Sequence, residues 1–397
     1  MNRNVAVIGT GETVFRSHHP DKTYIDLAQE AVVAALRDAN VEPDEIDAVV
    51  YSMAPTEFMG VNDADKWAVD YTWAAGKPFM RIHTGGATGG SAFHGGWLNI
   101  ASGQARTCLV VGADRVAETP DAQHILNLIW DRFCEHDFAL NTVTMIALMA
   151  HRYMAMRGLT EQQAARVVVR ARRNAMNNPF AHLKGQITVH DVMNSRPVST
   201  PYKLFDICPR SSGACAVVLA CQEVAREKCA QPAFVHGIGG IANTVFMGDR
   251  MGPHTDAEIG DFAEFGLAAR ECYRQAKITD PRKQIKVAEL YDPFSGMQFP
   301  ELESLGFCKP GEAAKLSDEG AFDMDGEVAV NPSGGTLCTN PIGVTGLVRH
   351  ADAAKQIMGR AGAMQAPNVQ RALATAVGGL GAILGRHRTR RGCDVRR

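Results

Sequence analysis

No two of the ten cysteines in this 397-residue chain stand at a CxxC spacing. Their scatter, from Cys108 to Cys393, argues against a zinc site or a disulfide framework and fits reduced thiols in the cytoplasm. An excess of charge of one sign is also missing: 41 Lys and Arg face 43 Asp and Glu, for a formal net charge of −2. That balance excludes a nucleic-acid binder working by bulk electrostatics. No apolar run approaches the length of a membrane span. Met1-Asn-Arg-Asn-Val leads straight into an apolar strand, so no secretory leader is expected. The opening turn, Val5-Ala-Val-Ile-Gly-Thr-Gly-Glu-Thr13, lacks the third glycine of a dinucleotide fingerprint, because Phe15 follows instead.

What is present is an ordinary soluble composition, 46% apolar and 21% charged, with length enough for two domains or one large α/β unit. The stretch that organises the chain is Arg81-Ile-His-Thr-Gly-Gly-Ala-Thr-Gly-Gly-Ser-Ala-Phe-His-Gly-Gly-Trp97. An apolar run, Lys77 to Ile82, reads as a strand end before it, and Leu98 to Gly103 reads as helix after it. A strand, a glycine turn and a helix place free backbone N–H groups where an anion or oxyanion can meet them. The same glycines also suit a helix packed tightly on its sheet, and on their own they favour that use.

Tyr24 to Ala39 has helical periodicity, while Asp47 to Met53 and Thr107 to Asp114 read as buried strands. This alternation predicts parallel pairing with helices on both faces. The plan then returns. Phe234 to Thr244 echoes Val5 to Thr13, and Ala276 to Tyr291 echoes Ala39 to Tyr51, each a helix tail, a proline turn and a strand ending in tyrosine. Asn331-Pro-Ser-Gly-Gly stands where the Gly85 turn stands in the first half, so an internal duplication is expected. Between the halves, His151 to Gly158 and Thr160 to Asn177 read as helices, with Thr160 and Gln163 set for a capping box. Ala214 to Ala220 reads as the strand that closes the first half.

Together these pieces resemble the thiolase superfamily over nearly the whole chain. The resemblance rests on Arg172-Arg-Asn-Ala-Met-Asn-Asn-Pro179, Ile187 to Val192, Ser195 to Pro201 and Leu204-Phe-Asp-Ile-Cys-Pro-Arg-Ser-Ser-Gly. Pro332-Ser-Gly-Gly, Asn340-Pro-Ile-Gly-Val-Thr-Gly346 and Val377-Gly-Gly-Leu-Gly381 resemble the family's C-terminal catalytic loops. It implies a five-layered α/β/α/β/α fold of two fused halves, a loop domain that binds coenzyme A, and a homodimer. The expected parts are an N-terminal half at 1–119, the inserted loop domain at 120–200, a return strand and linker at 201–232, a C-terminal half at 233–386 and a basic tail at 387–397. The two-fold is expected at the strand Thr107 to Ala113 or at the helix after Gly86.

The catalytic residues of the family are absent. Where thiolases carry the nucleophilic cysteine this chain has Gly86-Ala87-Thr88-Gly89; where they carry Gly-His-Pro it has Asn340 before Pro341. Tyr291-Asp292-Pro293-Phe294 replaces the His-Asp-Cys-Phe of sterol-carrier-type members, and Ala376 or Val377 stands where a second cysteine belongs. Without a thiolate the usual acyl-enzyme cannot form. The chain thus resembles cysteine-less members that cleave steroid side chains as aldolases, working with a small OB-fold/zinc-ribbon partner. Retro-aldol cleavage of a β-hydroxyacyl-CoA needs a base and donors for the thioester enolate. The candidate donors are Gly86, Gly378 or Gly379 and the Asn340 amide; the candidate bases are Tyr291, Asp292 and His83. Arg166, Arg170, Lys184 and Cys338 are candidates for contact with the CoA thioester, which is substrate; no cofactor or metal is expected to be held. Two other readings stay open: an acyltransferase that recruits Cys338 or another thiol, and a non-catalytic CoA-binding subunit.

Overall fold

The chain builds two half-sheets with one strand order, joined edge to edge. The computed structural model describes residues 3–130, 133, 135, 137–138, 140–242, 247–250, 258–377 and, for backbone alone, 380–385. The strands of the main sheet are β1 (Val5–Glu12), β2 (Ala48–Ser52), β3 (Phe79–Ile82), β4 (Thr107–Arg115), β5 (Ser212–Cys221), β6 (Ala233–Gly240), β7 (Val287–Glu289), β8 (Ala329–Val330), β9 (Arg371–Ala376) and β10 (Leu380–Gly385). They lie in the order β8-β7-β9-β10-β6-β1-β5-β4-β2-β3. The seam between β1 and β6 pairs Ala6 with Phe234 and Val7 with Ala233. Outward from that seam both halves read antiparallel, antiparallel, parallel, parallel. The expected duplication is therefore visible in the topology.

Parallel pairing throughout does not hold, since β5 and β10 run antiparallel to both neighbours. The crossover rule governs only strand–helix–strand units. β5 comes back after the inserted segment, outside that rule, and β10 follows β9 so closely that it must reverse direction.

Helices make the other layers. α1 (Tyr24–Ala39) covers the outer face of β1, β5 and β4. α2 (Thr88–Ala101) and α6 (Thr345–Met358) lie against each other between the halves, while α5 (Ala263–Ala276) covers β6 and β10. The result is the five-layered duplicated α/β architecture. α3 (Thr142–Arg157) and α4 (Glu161–Ala175) belong to the inserted segment. The capping box at Thr160 is formed: its N–H donates to Gln163 Oε1 at 3.0 Å and its hydroxyl accepts the Gln163 N–H at 3.2 Å. α3 starts earlier than its expected start at His151, because Asn141 caps it. α2 likewise starts at Thr88 rather than near Leu98. Its glycines have low helix propensity, and close packing overrides it.

That packing separates the uses of glycine. A Cβ on Gly89 would lie 2.3 Å from the Leu347 nitrogen, so the crossing of α2 and α6 requires its absence. The Gly9 and Gly11 pair of β1 likewise seats α1, and Gly237 and Gly239 of β6 seat α5, each with a helix carbonyl within 2.5 Å of the missing Cβ. The incomplete dinucleotide fingerprint is thus a helix seat, used once in each half. β4 has β5 and β2 on its two sides, so the strand at Thr107 to Ala113 offers no edge to a two-fold; the free edge of this half is β3. The basic tail and the pair Asn243–Thr244 lie outside the described residues.

Candidate active site

The parallel strands β7 and β9 deliver their carboxyl ends to one place, beneath the turn that opens α2, where open α/β sheets bind ligands. Tyr291 follows β7, and its N–H donates to Thr375 Oγ1 of β9 at 2.8 Å. Its hydroxyl donates to Asn340 Oδ1 at 3.3 Å. The Thr345 hydroxyl, at the start of α6, donates to the same oxygen at 2.7 Å. The Asn340 Nδ2 in turn donates to Cys208 Sγ at 3.0 Å. Gly86 completes the cluster from above: a Cβ there would stand 3.5 Å from Val377 and 3.8 Å from the Tyr291 ring, in ordinary contact. Unlike Gly89, Gly86 faces the Val377 side chain and the Tyr291 ring rather than a backbone.

The turn is shaped by threonines. The Thr88 hydroxyl donates to the Gly85 carbonyl at 2.6 Å and accepts the Thr84 N–H at 2.9 Å, and Gly85 takes a φ of 62°. The backbone at Gly86 is held there without a large side chain.

Electrostatics decide the protonation states. Burial raises the Tyr291 phenol above its ordinary range, so it enters as a neutral donor. Burial likewise pushes the thiols of Cys208 and Cys338 up to about 12, and both are protonated at neutral pH. Asp292 is fully buried and pushed up to about 6 by desolvation. Both its oxygens are engaged: Oδ2 accepts Gln298 Nε2 at 2.6 Å, and Oδ1 accepts Asn331 Nδ2 at 2.8 Å.

Of the residues expected in the site, the structure thus gathers Tyr291, Asn340 and Gly86. Asp292 is adjacent in sequence but turned into the core. His83 is exposed on the approach to the turn, its imidazole pKa lowered by partial burial and by Arg81, and no described hydrogen bond ties it to the cluster. Arg170 is buried, donating to Ser317 Oγ at 3.0 Å and to Gln298 Oε1, so its guanidinium supports Asp292 through Gln298. Arg166 is half exposed and paired with Asp318 at 2.5 Å, while Lys184 is exposed and donates to the Pro179 carbonyl at 2.9 Å. Cys338 is buried and makes no hydrogen bond to Tyr291 or Asn340. Gly378 and Gly379 lie outside the described residues. Sequence reading missed Cys208, Thr345, Thr375 and Ser211 as site residues. Cys208 stands 132 positions from Asn340, and no spacing signals that contact. Among the described residues no group of three or more His, Cys, Asp or Glu side chains is placed to hold a metal.

The thiolase N-terminal domain matches residues 5–199, and the thiolase C-terminal domain-like family matches residues 253–385. An acetyl-CoA acetyltransferase of Methanothermobacter thermautotrophicus is 31% identical, covering 97% of this chain and 99% of that protein. This chain belongs to the thiolase superfamily. Within the superfamily it is also similar to a steroid side-chain-cleaving aldolase of Thermomonospora curvata, 30% identical over 84% of this chain and 85% of the relative. The solved Ltp2–ChsH2(DUF35) aldolase superposes with a TM-score of 0.83 at 29% identity, covering 97% of this chain and 98% of that one. The thiolase fold is shared, and the Gly85–Thr88 turn of this chain contains no cysteine.

Proposed function

We propose that this chain splits a β-hydroxyacyl-CoA by retro-aldol chemistry, leaving the thioester intact and forming no acyl-enzyme. One observation carries the reading. The turn at Gly85–Thr88 meets Tyr291 with backbone and no thiol, and Cys208, the thiol that touches the cluster, is kept protonated by burial. A protonated thiol is neither a nucleophile nor a base.

The thioester oxygen is received by backbone at Gly86 and by an Asn340 amide hydrogen, where the developing enolate charge meets fixed dipoles in a dry site. The neutral phenol of Tyr291 protonates the enolate carbon once the carbonyl product has left. The β-hydroxyl proton needs an acceptor. Asp292 is occupied by Gln298 and Asn331, which leaves His83 as the freer base. Arg166 and Lys184 remain as surface cations for the CoA phosphates, while Arg170 drops out of that set because its donors are spent in the core.

The assembly we propose is a homodimer that pairs the free edge of β3, which carries the exposed Met80. A small OB-fold/zinc-ribbon protein acts as partner, in keeping with the two-component aldolase that this chain resembles. The eight described cysteines are free, as suits the reducing cytoplasm. A second reading, CoA-dependent acyl transfer, is favoured by the 31% identical acetyl-CoA acetyltransferase. Product analysis separates the two: cleavage of a β-hydroxyacyl-CoA to a carbonyl compound and a shorter acyl-CoA with no uptake of free CoA supports the lyase. Cleavage of the corresponding β-ketoacyl-CoA to two acyl-CoAs, with uptake of one CoA per cleavage, supports the transferase.

A further inference from the structure

A partly buried histidine is fastened to the Asn340 loop. His182 lies in the segment after α4, and its backbone N–H donates to Thr339 Oγ1 at 3.1 Å. The next N–H, of Leu183, donates to the Cys338 carbonyl at 3.0 Å. The imidazole Nδ1 stands 3.0 Å from Ser211 Oγ. Ser211 is fully buried; its hydroxyl oxygen accepts the Asn340 backbone N–H at 3.0 Å, and its own N–H donates to the Asn340 carbonyl at 3.1 Å. In the Nε2–H tautomer of the neutral imidazole, Nδ1 accepts the Ser211 hydroxyl hydrogen while the hydroxyl oxygen accepts from Asn340.

We propose that His182 is a positioning residue: through Ser211 it fixes the main chain of Asn340 and so holds the Asn340 amide against Tyr291. This deepens, and rests on, the reading of Asn340 as a donor to the enolate. It also ties the inserted segment to the catalytic loop.

Protonation undoes the arrangement. An imidazolium has no acceptor nitrogen, so it can no longer take the Ser211 hydroxyl hydrogen. The charged and titratable groups facing His182 are Arg172 of α4 and His19 of the segment after β1, and both act with burial to disfavour its positive charge. The neutral form therefore holds at physiological pH and fails only on acidification.

His182→Asn retains an acceptor oxygen close to the position of Nδ1 and cannot be protonated, whereas His182→Ala retains nothing. Two readouts apply: kcat and KM against pH, and the rate at which iodoacetamide alkylates Cys208, followed by peptide mass spectrometry. Cys208 Sγ accepts from Asn340 Nδ2, so its alkylation reports the hold on that amide without turnover. His182→Ala is expected to lower kcat by about ten- to a hundredfold with KM nearly unchanged, and to speed Cys208 alkylation several-fold. His182→Asn should restore both and remove the His182 contribution to the acid-side fall of kcat, leaving the limb that protonation of the His83 base produces. The proposal is overturned if His182→Ala leaves kcat and alkylation at the native values, if only KM moves, or if His182→Asn is as impaired as the alanine variant. Should His182→Ala not fold, an unchanged acid limb in His182→Asn overturns it. Uptake of free CoA would defeat the lyase reading and leave this test standing, because Cys208 alkylation is independent of the reaction catalysed.

Discussion

Tyr291 and Asn340 are 49 positions apart, yet the phenol of one donates to the amide oxygen of the other at 3.3 Å. Thr345 pins that same oxygen from the first turn of α6. The proton donor and the enolate donor of the proposed reaction are thus one hydrogen-bonded unit, anchored on β9 through Thr375 and on Ser211 through the Asn340 backbone.

Removing either half of that unit should slow the chemical step. Asn340→Ala is expected to cost about a hundred- to a thousandfold in kcat, as loss of one oxyanion donor does. Tyr291→Phe should cost about 10²- to 10⁴-fold, the usual worth of a positioned proton donor. The two losses should be less than additive in a double-mutant cycle, because each variant also frees the other side chain. Single-turnover kinetics check this; full activity in Tyr291→Phe would reduce that residue to a structural role.

Thiol chemistry gives the second expectation. Cys338→Ser should turn over like the native chain, and Cys208→Ser should lose less than about tenfold, since serine also accepts from the Asn340 amide. A loss beyond about a thousandfold in either variant would mark a nucleophile and favour acyl transfer.

Stability should decline as the medium becomes more basic. Asp292 is raised to about 6 and Glu301, fully buried, well above its ordinary value, burial being the main cause for both. A carboxyl whose folded pKa exceeds its unfolded one contributes stability that is full below the unfolded value and is lost as pH rises through the folded value. Glu301→Gln keeps an oxygen for the Thr375 hydroxyl, which Glu301 accepts at 2.7 Å, and cannot ionise. Its melting temperature should vary less than that of the native chain between about pH 5 and about pH 8. A native chain whose stability rises over that range would contradict this assignment.

The sequence showed the duplication because helix and strand periodicities repeat in order, and it showed that the Gly86 turn holds no cysteine because that motif is contiguous. Gly86, Tyr291 and Asn340 were legible for the same reason. Arg170 was misplaced because an arginine on an amphipathic helix reads the same whether it faces solvent or Gln298. The strand Thr107 to Ala113 was misplaced as an interface because a central strand and an interface strand are equally apolar. Cys208, Ser211 and His182 carry no local pattern; their partners are set by how β5 returns to the sheet.

A charge network in the central layer supplies a stability test away from the site. Arg349 of α6 donates to Glu289 Oε2 at 2.6 Å, to Ser333 Oγ at 2.7 Å and to Asp352 at 3.1 Å, all buried. Arg349→Met would leave Glu289 and Asp352 without this cation, and the loss should be about 3–5 kcal/mol in denaturant unfolding. A loss below about 1 kcal/mol would mean that Glu289, whose pKa burial raises, is already neutral.

The absence of an acyl-enzyme is tested most directly by the mass of the protein during turnover. The chain is mixed with a β-hydroxyacyl-CoA, with the proposed OB-fold partner present, quenched in acid while product is forming, and weighed intact. The account predicts an unmodified chain at every time point together with a carbonyl product and a shortened acyl-CoA. An acyl adduct that appears and decays at the turnover rate, mapped to Cys208 or Cys338, would contradict it.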